Sequence, residues 1–208
     1  MKRRIFLLGC AAASVAGCTV PNKDSSASDE VIARAAYRHD GPPALTLYTM
    51  VNNRTGAGAH TSLMINASQR VIFDPAGSVR HSRIPERGDV LYGITPVVED
   101  VYTRAHARET YHAVIQHVEV PAAVAEKALR LAQANGAVAQ AQCAKVTSGL
   151  LAQLPGFESI KVTWYPNKLS EQFGALPGVS TRELWEDDPD DKAIALAKFN
   201  EQLSAAGQ

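Results

Sequence analysis

Cys143, His60 and Asp74 are the residues of this sequence best suited by type and spacing to nucleophilic chemistry. From Cys143, residues Val146, Thr147, Leu150, Leu151 and Leu154 recur at the spacing of one helix face. Cys143 therefore falls in the first turn of a helix, on its inward side. A helix start carries roughly half a positive charge, which favours a thiolate and leaves N–H groups to hold an oxyanion. The alternative is a small apolar residue buried in the core. His60 opens a strand over residues 60–65, and a second strand spans 70–74, around Asn66-Ala67-Ser68. Pairing Ile65 with Gln69 places His60 directly opposite Asp74, with Cβ atoms about 5 Å apart. Leu63, Ile65, Val71 and Phe73 then share the other face as a core set. A carboxylate beside an imidazole fixes its tautomer and supports its charged form, as the base and orienter of a nucleophilic site do. The alternative for this pair is a surface histidine, with Asp74 capping the Asp-Pro turn.

The elements that must position these residues follow from periodicity and breakers. Residues 44–52 have strand composition, and the Gly-rich loop 53–59 lacks the Lys-Ser/Thr ending of a phosphate loop, so it is a turn. A strand is expected over 88–94, a helix from Pro96 to Arg108, and the longest strand over 109–120. Pro121 opens a helix bearing Val124, Ala128 and Leu131, with Gly136 past its end. The Cys143 helix runs to Leu154 and stops at Pro155-Gly156; a short strand covers 159–164 and a helical turn or two 166–173. Acidic residues 187–191 precede a terminal helix over 192–203, where negative charge suits the helix dipole. The order implies an α+β fold, a single domain with a mostly antiparallel sheet packed with helices.

The chain has 208 residues, 46% hydrophobic and 20% charged, with 21 Lys plus Arg against 21 Asp plus Glu. That suffices for one ordinary core, and it argues against a disordered chain. With no basic run after Arg4, a nucleic-acid-binding module is not expected. The one long apolar stretch, residues 5–16, follows Lys2-Arg3-Arg4 and has the length of a signal h-region, so a polytopic membrane protein is excluded. It ends in Val15-Ala16-Gly17-Cys18, which resembles the lipobox of bacterial lipoproteins; Leu7-Leu8-Gly9-Cys10 is a poorer match with almost no h-region. The resemblance implies a signal peptide over 1–17, lipidation of Cys18, a lipidated tether over 18–40 and a folded domain over 41–208. It implies attachment in the cell envelope, at the outer membrane facing the periplasm. Removing Lys2, Arg3 and Arg4 leaves 18 basic residues against 21 acidic, and Cys143 becomes the sole thiol without a lipid or a partner.

A Cys at a helix start, a His on a strand and a polar residue on the next strand together resemble the site of NlpC-type papain-like peptidases. Here His60 and Asp74 precede Cys143, an order similar to the circularly permuted branch that includes lecithin retinol acyltransferase-like enzymes. His60-Thr61-Ser62-Leu63-Met64-Ile65 with Val71-Ile72-Phe73-Asp74 resembles that branch's His strand and the strand after it. Gln142-Cys143-Ala144-Lys145-Val146-Thr147 stands where the branch has its Cys-led helix. The likeness spans roughly residues 44–155 and implies a cysteine hydrolase or acyltransferase without a cofactor. Cys143 would attack an acyl carbon, His60 would carry the proton and Asp74 would orient the imidazole. Backbone N–H groups at the helix start, with Gln140 or Gln142, would hold the oxyanion. Cell-wall (peptidoglycan) peptide amides are the first substrate expectation and lipid acyl groups the second. The rival class is a non-enzymatic envelope lipoprotein that keeps the fold as a binding or scaffold module. His39, His81, His106, His112 and His117 show no ligand spacing, so no metal site is expected.

Overall fold

The computed structural model describes residues 26–77 and 79–205. The segment expected to be a signal peptide, Cys10 and the expected lipidation site Cys18 lie outside the described residues. Within them, helix α1 (Asp29–Ala35) is followed by strands β1 (Ala44–Asn52), β2 (Gly58–Asn66), β3 (Arg70–Phe73), β4 (Glu86–Arg87) and β5 (Val90–Leu91). Then come α2 (Pro96–His106), β6 (Tyr111–Glu119), α3 (Ala122–Asn135), α4 (Cys143–Leu151), α5 (Pro166–Gly174), β7 (Ser180–Leu184) and α6 (Lys192–Ala205). The strands form one antiparallel sheet in the order β4-β5-β3-β2-β1-β6-β7. The chain is thus a single α+β domain, as its pattern implied.

Strand alternation divides the core in two. Leu45, Leu47, Leu63, Ile65, Val71 and Phe73 face one side and pack on α3, α4 and α5 through Ala128, Leu151 and Phe173. Tyr48, Met50, Met64 and Ile72 face the other side and pack on α2 and α6 through Val101, Tyr102 and Phe199. A sheet covered on both faces explains why β1 is nearly continuous in apolar and Thr side chains. No helix among the described residues is long and apolar enough to cross a membrane.

Four expectations need correction. The expected strand over 159–164 is irregular chain, because its backbone bonds go to side chains: Thr163 N–H donates to Ser148 Oγ at 3.0 Å and Lys161 N–H to Gln172 Oε1 at 2.6 Å. The seventh strand is instead β7, a charged and exposed edge segment whose composition hides it. The expected strand over 88–94 is the two-residue β5. Gly88 and Asp89 both have positive φ (56° and 61°) and make the tight hairpin turn from β4. The described part of the expected tether is attached to the domain: Ala27 N–H donates to Glu86 O at 3.0 Å and Arg70 N–H to Tyr37 O at 2.8 Å, flanking α1. Finally, β2 and β3 pair as Asn66↔Arg70 and Leu63↔Phe73, not as Ile65 with Gln69. The loop keeps three residues but sits one residue further along. This moves the register by two, so every side chain stays on its expected face.

Candidate active site

That two-residue difference sets the geometry of His60 and Asp74. Asp74 comes just past the end of β3, where the register places Ser62 opposite it and His60 on the diagonal. Diagonal neighbours are within reach of a long side chain, and His60 Nε2 lies 2.7 Å from Asp74 Oδ1. His60 and Asp74 are therefore on one face, as expected, but not directly opposed. Cys143 opens α4 and is 7% exposed. Its thiol lines the same cavity as the His60 ring, and each shifts the ionisation of the other. Since Nε2 is engaged by Asp74, Nδ1 is the ring nitrogen left for the sulfur. The structure thus brings the three residues together, Cys143 and His60 on one cavity and His60 bonded to Asp74.

The electrostatics follow from that chain. Burial by itself disfavours the charged imidazole. The hydrogen bonds and negative charges of Asp74 and Cys143 outweigh it and raise His60 to about 9. Burial also opposes ionisation of Asp74, but the hydrogen bond and charge of His60, the charge of His106 and the Tyr102 hydroxyl bring it down to about 2. For Cys143, burial pushes the thiol up, and the His60 hydrogen bond and charge with the N–H groups of Thr61 and Ala144 bring it below its ordinary value. Both shifts act in the direction of a thiolate beside an imidazolium.

Helix α2 and two loops complete the surroundings, and sequence spacing gave no sign of them. Tyr102 Oη donates to Asp74 Oδ1 at 2.9 Å and lies 2.7 Å from Ser62 Oγ. Burial and the neighbouring carboxylate hold that phenol protonated, so it stays a donor. One turn on, His106 donates from Nδ1 to Tyr102 O at 2.9 Å, and its ring stacks on His60 at 5.9 Å and 19°. Asp74 Oδ2 has no hydrogen-bond partner and lies against Gly77, where a Cβ would come within 1.8 Å of it. Only glycine fits there without displacing the carboxylate.

Asp89 ties the two loops that carry the site. Its carbonyl accepts Asp74 N–H at 2.8 Å, and its Oδ2 accepts Ala76 N–H at 2.9 Å and Val138 N–H at 2.8 Å. The loop after β3 is thereby bound to the loop leading into α4. Ala76 and Ala141, one in each loop, hold positive φ (55° and 62°). L residues adopt that region at a cost of roughly 1–2 kcal/mol, which the fixed loop contacts sustain.

A cavity of about 400 Å³ opens on this cluster, lined among others by Cys143, His60, His106, Gln140, Arg108 and Ala76. Of the two expected oxyanion donors, Gln140 lines the cavity. Gln142 takes the N-cap position of α4 and makes no side-chain cap bond. Trp164, Tyr165 and Trp185 are each more than half exposed and do not line this cavity. The segment before α6 folds back onto the rim: Asp188 meets Arg108 at 3.3 Å, and Asp190 accepts from Thr110 N–H at 3.1 Å.

His106 is the clearest omission of the sequence reading. Its ligand atom and those of His60 and Asp74 all lie within 4.8 Å of one another, close enough to share a metal ion, although no metal site was expected. The His60–Asp74 contact of 2.7 Å is a hydrogen-bond distance. Two ligands on one tetrahedral zinc stand about 3.3 Å apart, so the geometry drawn is that of a proton-sharing pair.

No family model matches this chain, and no curated protein or solved structure matches it either. The chemistry of the cluster must carry the functional reading.

Proposed function

We propose that this chain is a cysteine hydrolase or acyltransferase of the circularly permuted papain-like kind, anchored in the bacterial envelope through a lipid on Cys18. The single observation that supports the chemistry is that Cys143 and His60 line one cavity, with His60 Nε2 bonded at 2.7 Å to the buried Asp74. In this reading the Cys143 thiolate attacks an acyl carbon, and the carbonyl electrons move to oxygen as a tetrahedral oxyanion. Backbone N–H groups at the start of α4, with Gln140, receive that charge. The His60 imidazolium gives its proton to the departing amine or alcohol as the carbon–leaving-group bond breaks. A thioester on Cys143 remains, with His60 neutral. Water or another nucleophile then adds to the thioester carbon, the C–S bond breaks, and the thiolate–imidazolium pair is restored. Asp74 keeps the imidazole oriented and its charged form favoured throughout.

Peptide amides of the cell wall are the first substrate class in this proposal and lipid acyl groups the second. The test of the chemistry is a thioester trap. Wild-type protein mixed with p-nitrophenyl acetate should gain one acetyl group on Cys143 by intact-mass and peptide analysis, and Cys143→Ser should gain none. An acetyl group elsewhere, or none at all, would remove the nucleophile from the proposal. The anchor is tested separately, by the mass of membrane-extracted protein: an N-terminal Cys18 bearing lipid supports it, and an unlipidated N-terminus elsewhere refutes it.

A further inference from the structure

The end of β1 and β2 remote from His60 carries a second cavity, of about 300 Å³, which shares no lining residue with the first. The sheet register builds it. Ala44 pairs with Asn66 and Glu119, Thr46 with Met64 and His117, Asn66 with Arg70, and Ile115 with Arg182. Paired residues share a face, so Arg70, His117, Glu119 and Arg182 all project on the α2 side of the sheet, and each lines the cavity. Arg70 is 4% exposed. Its Nε donates to Met64 Sδ at 3.1 Å and its Nη2 to Glu99, whose other oxygen accepts from Tyr48 Oη at 2.9 Å. Its Nη1 has no hydrogen-bond partner among the described residues and is open to the cavity. His117 Nδ1 lies 2.9 Å from the Thr46 hydroxyl, which can donate to it and leaves Nε2–H for the cavity. Arg182 and Glu119 are exposed, and neither has an ion-pair partner among the described residues.

We propose that this cavity is a binding site for a small zwitterion, a free amino acid or a short peptide with both ends free. The ligand carboxylate accepts from Arg70 Nη1, His117 Nε2 and the Arg182 guanidinium, and the ligand ammonium donates to Glu119. The charges select this class. Glu99 already offsets Arg70, so one guanidinium and one carboxylate remain to be matched. A simple anion would leave Glu119 uncompensated beside it, and a simple cation would face Arg182 and the Arg70 donors. Guanidinium N–H groups suit a carboxylate. The volume is at the low end for ligand cavities, which fits a molecule of one or two residues. The site is independent of the chemistry proposed for Cys143.

Dialanine titrated into the whole chain, followed by calorimetry and by histidine ring NMR signals, tests the site. Dialanine should bind and move the His117 signals while leaving those of His60 in place. N-acetyl-dialanine, which lacks the ammonium, and dialanine amide, which lacks the carboxylate, should each bind about tenfold more weakly or worse. Glu119→Gln and Arg182→Gln change exposed side chains and should leave the fold intact. Glu119→Gln should weaken dialanine by about tenfold and no longer distinguish it from the acetylated form. Arg182→Gln should weaken it similarly and narrow its advantage over the amide. Four results would overturn the proposal: no binding of dialanine up to about 10 mM, acetylated dialanine binding as tightly as dialanine, affinity unchanged in both variants, or shifts at His60 in place of His117. The last would put the ligand in the Cys143 cavity.

Discussion

Replacing Gly77 with Ala probes the site through its least conspicuous residue. Gly77 does not have a positive φ, so its backbone tolerates alanine. The conflict is steric: the added Cβ would lie 1.8 Å from Asp74 Oδ2 and 2.1 Å from Cγ, against ordinary contact from 3.4 Å. The carboxylate must retreat about 1.5 Å to reach a normal separation. Its bonds to His60 at 2.7 Å and to Tyr102 at 2.9 Å cannot both survive that move. Hydrogen bonds to charged groups contribute about 1.5–3 kcal/mol each. With partial relaxation, Gly77→Ala should lose about 2–4 kcal/mol of stability in urea unfolding. The more specific reading comes from His60, whose rise to about 9 depends on Asp74. NMR titration should show His60 moving back toward about 6.5, and iodoacetamide labelling of Cys143 at neutral pH should slow by about tenfold or more. A variant in which His60 still titrates near 9 and Cys143 labels at the wild-type rate would refute the close contact between Gly77 and the carboxylate.

Asp89→Ala should leave the part-buried N–H groups of Ala76 and Val138 without their acceptor and destabilise the protein by about 1–3 kcal/mol in denaturant titration. Asp89→Asn, which keeps an acceptor oxygen, should recover most of that loss; equal loss in both variants would mean that charge alone matters. The pH dependence of stability has two edges. His60 has a raised folded value of about 9, so its contribution is complete below about 6.5 and is lost as pH rises through 9. Asp74 has a depressed folded value of about 2, so its contribution is present above about 3.9 and is lost as pH falls through 2. Urea midpoints measured from pH 2 to 10 should therefore hold up between about 4 and 6.5, and both edges should flatten in Asp74→Asn.

What the sequence made legible was local. The inward face of α4 could be read from Val146, Thr147, Leu150 and Leu151, and the faces of β2 and β3 from Leu63, Ile65, Val71 and Phe73. Period-two alternation fixes which side a residue faces, which is why a register error of two residues left His60 and Asp74 together. Long-range placement was not legible. His106 lies 46 positions after His60, on a helix whose spacing reports its own packing and not what its last turn approaches. Asp89 looked like the start of a strand because Gly88-Asp89 can begin a strand or make a turn, and only its partners in both loops decide between them. β7 escaped because an edge strand bonded on one side needs no apolar face.

The thiolate–imidazolium pair is tested most directly by the rate of iodoacetamide alkylation of Cys143 in the native protein as a function of pH, alongside His60→Ala. The pair predicts fast labelling at neutral pH, falling as pH drops through a thiol value below the ordinary one, with His60→Ala shifting that fall to higher pH. A thiol that labels only after denaturant is added, with no change in His60→Ala, would contradict it and leave Cys143 as a core residue.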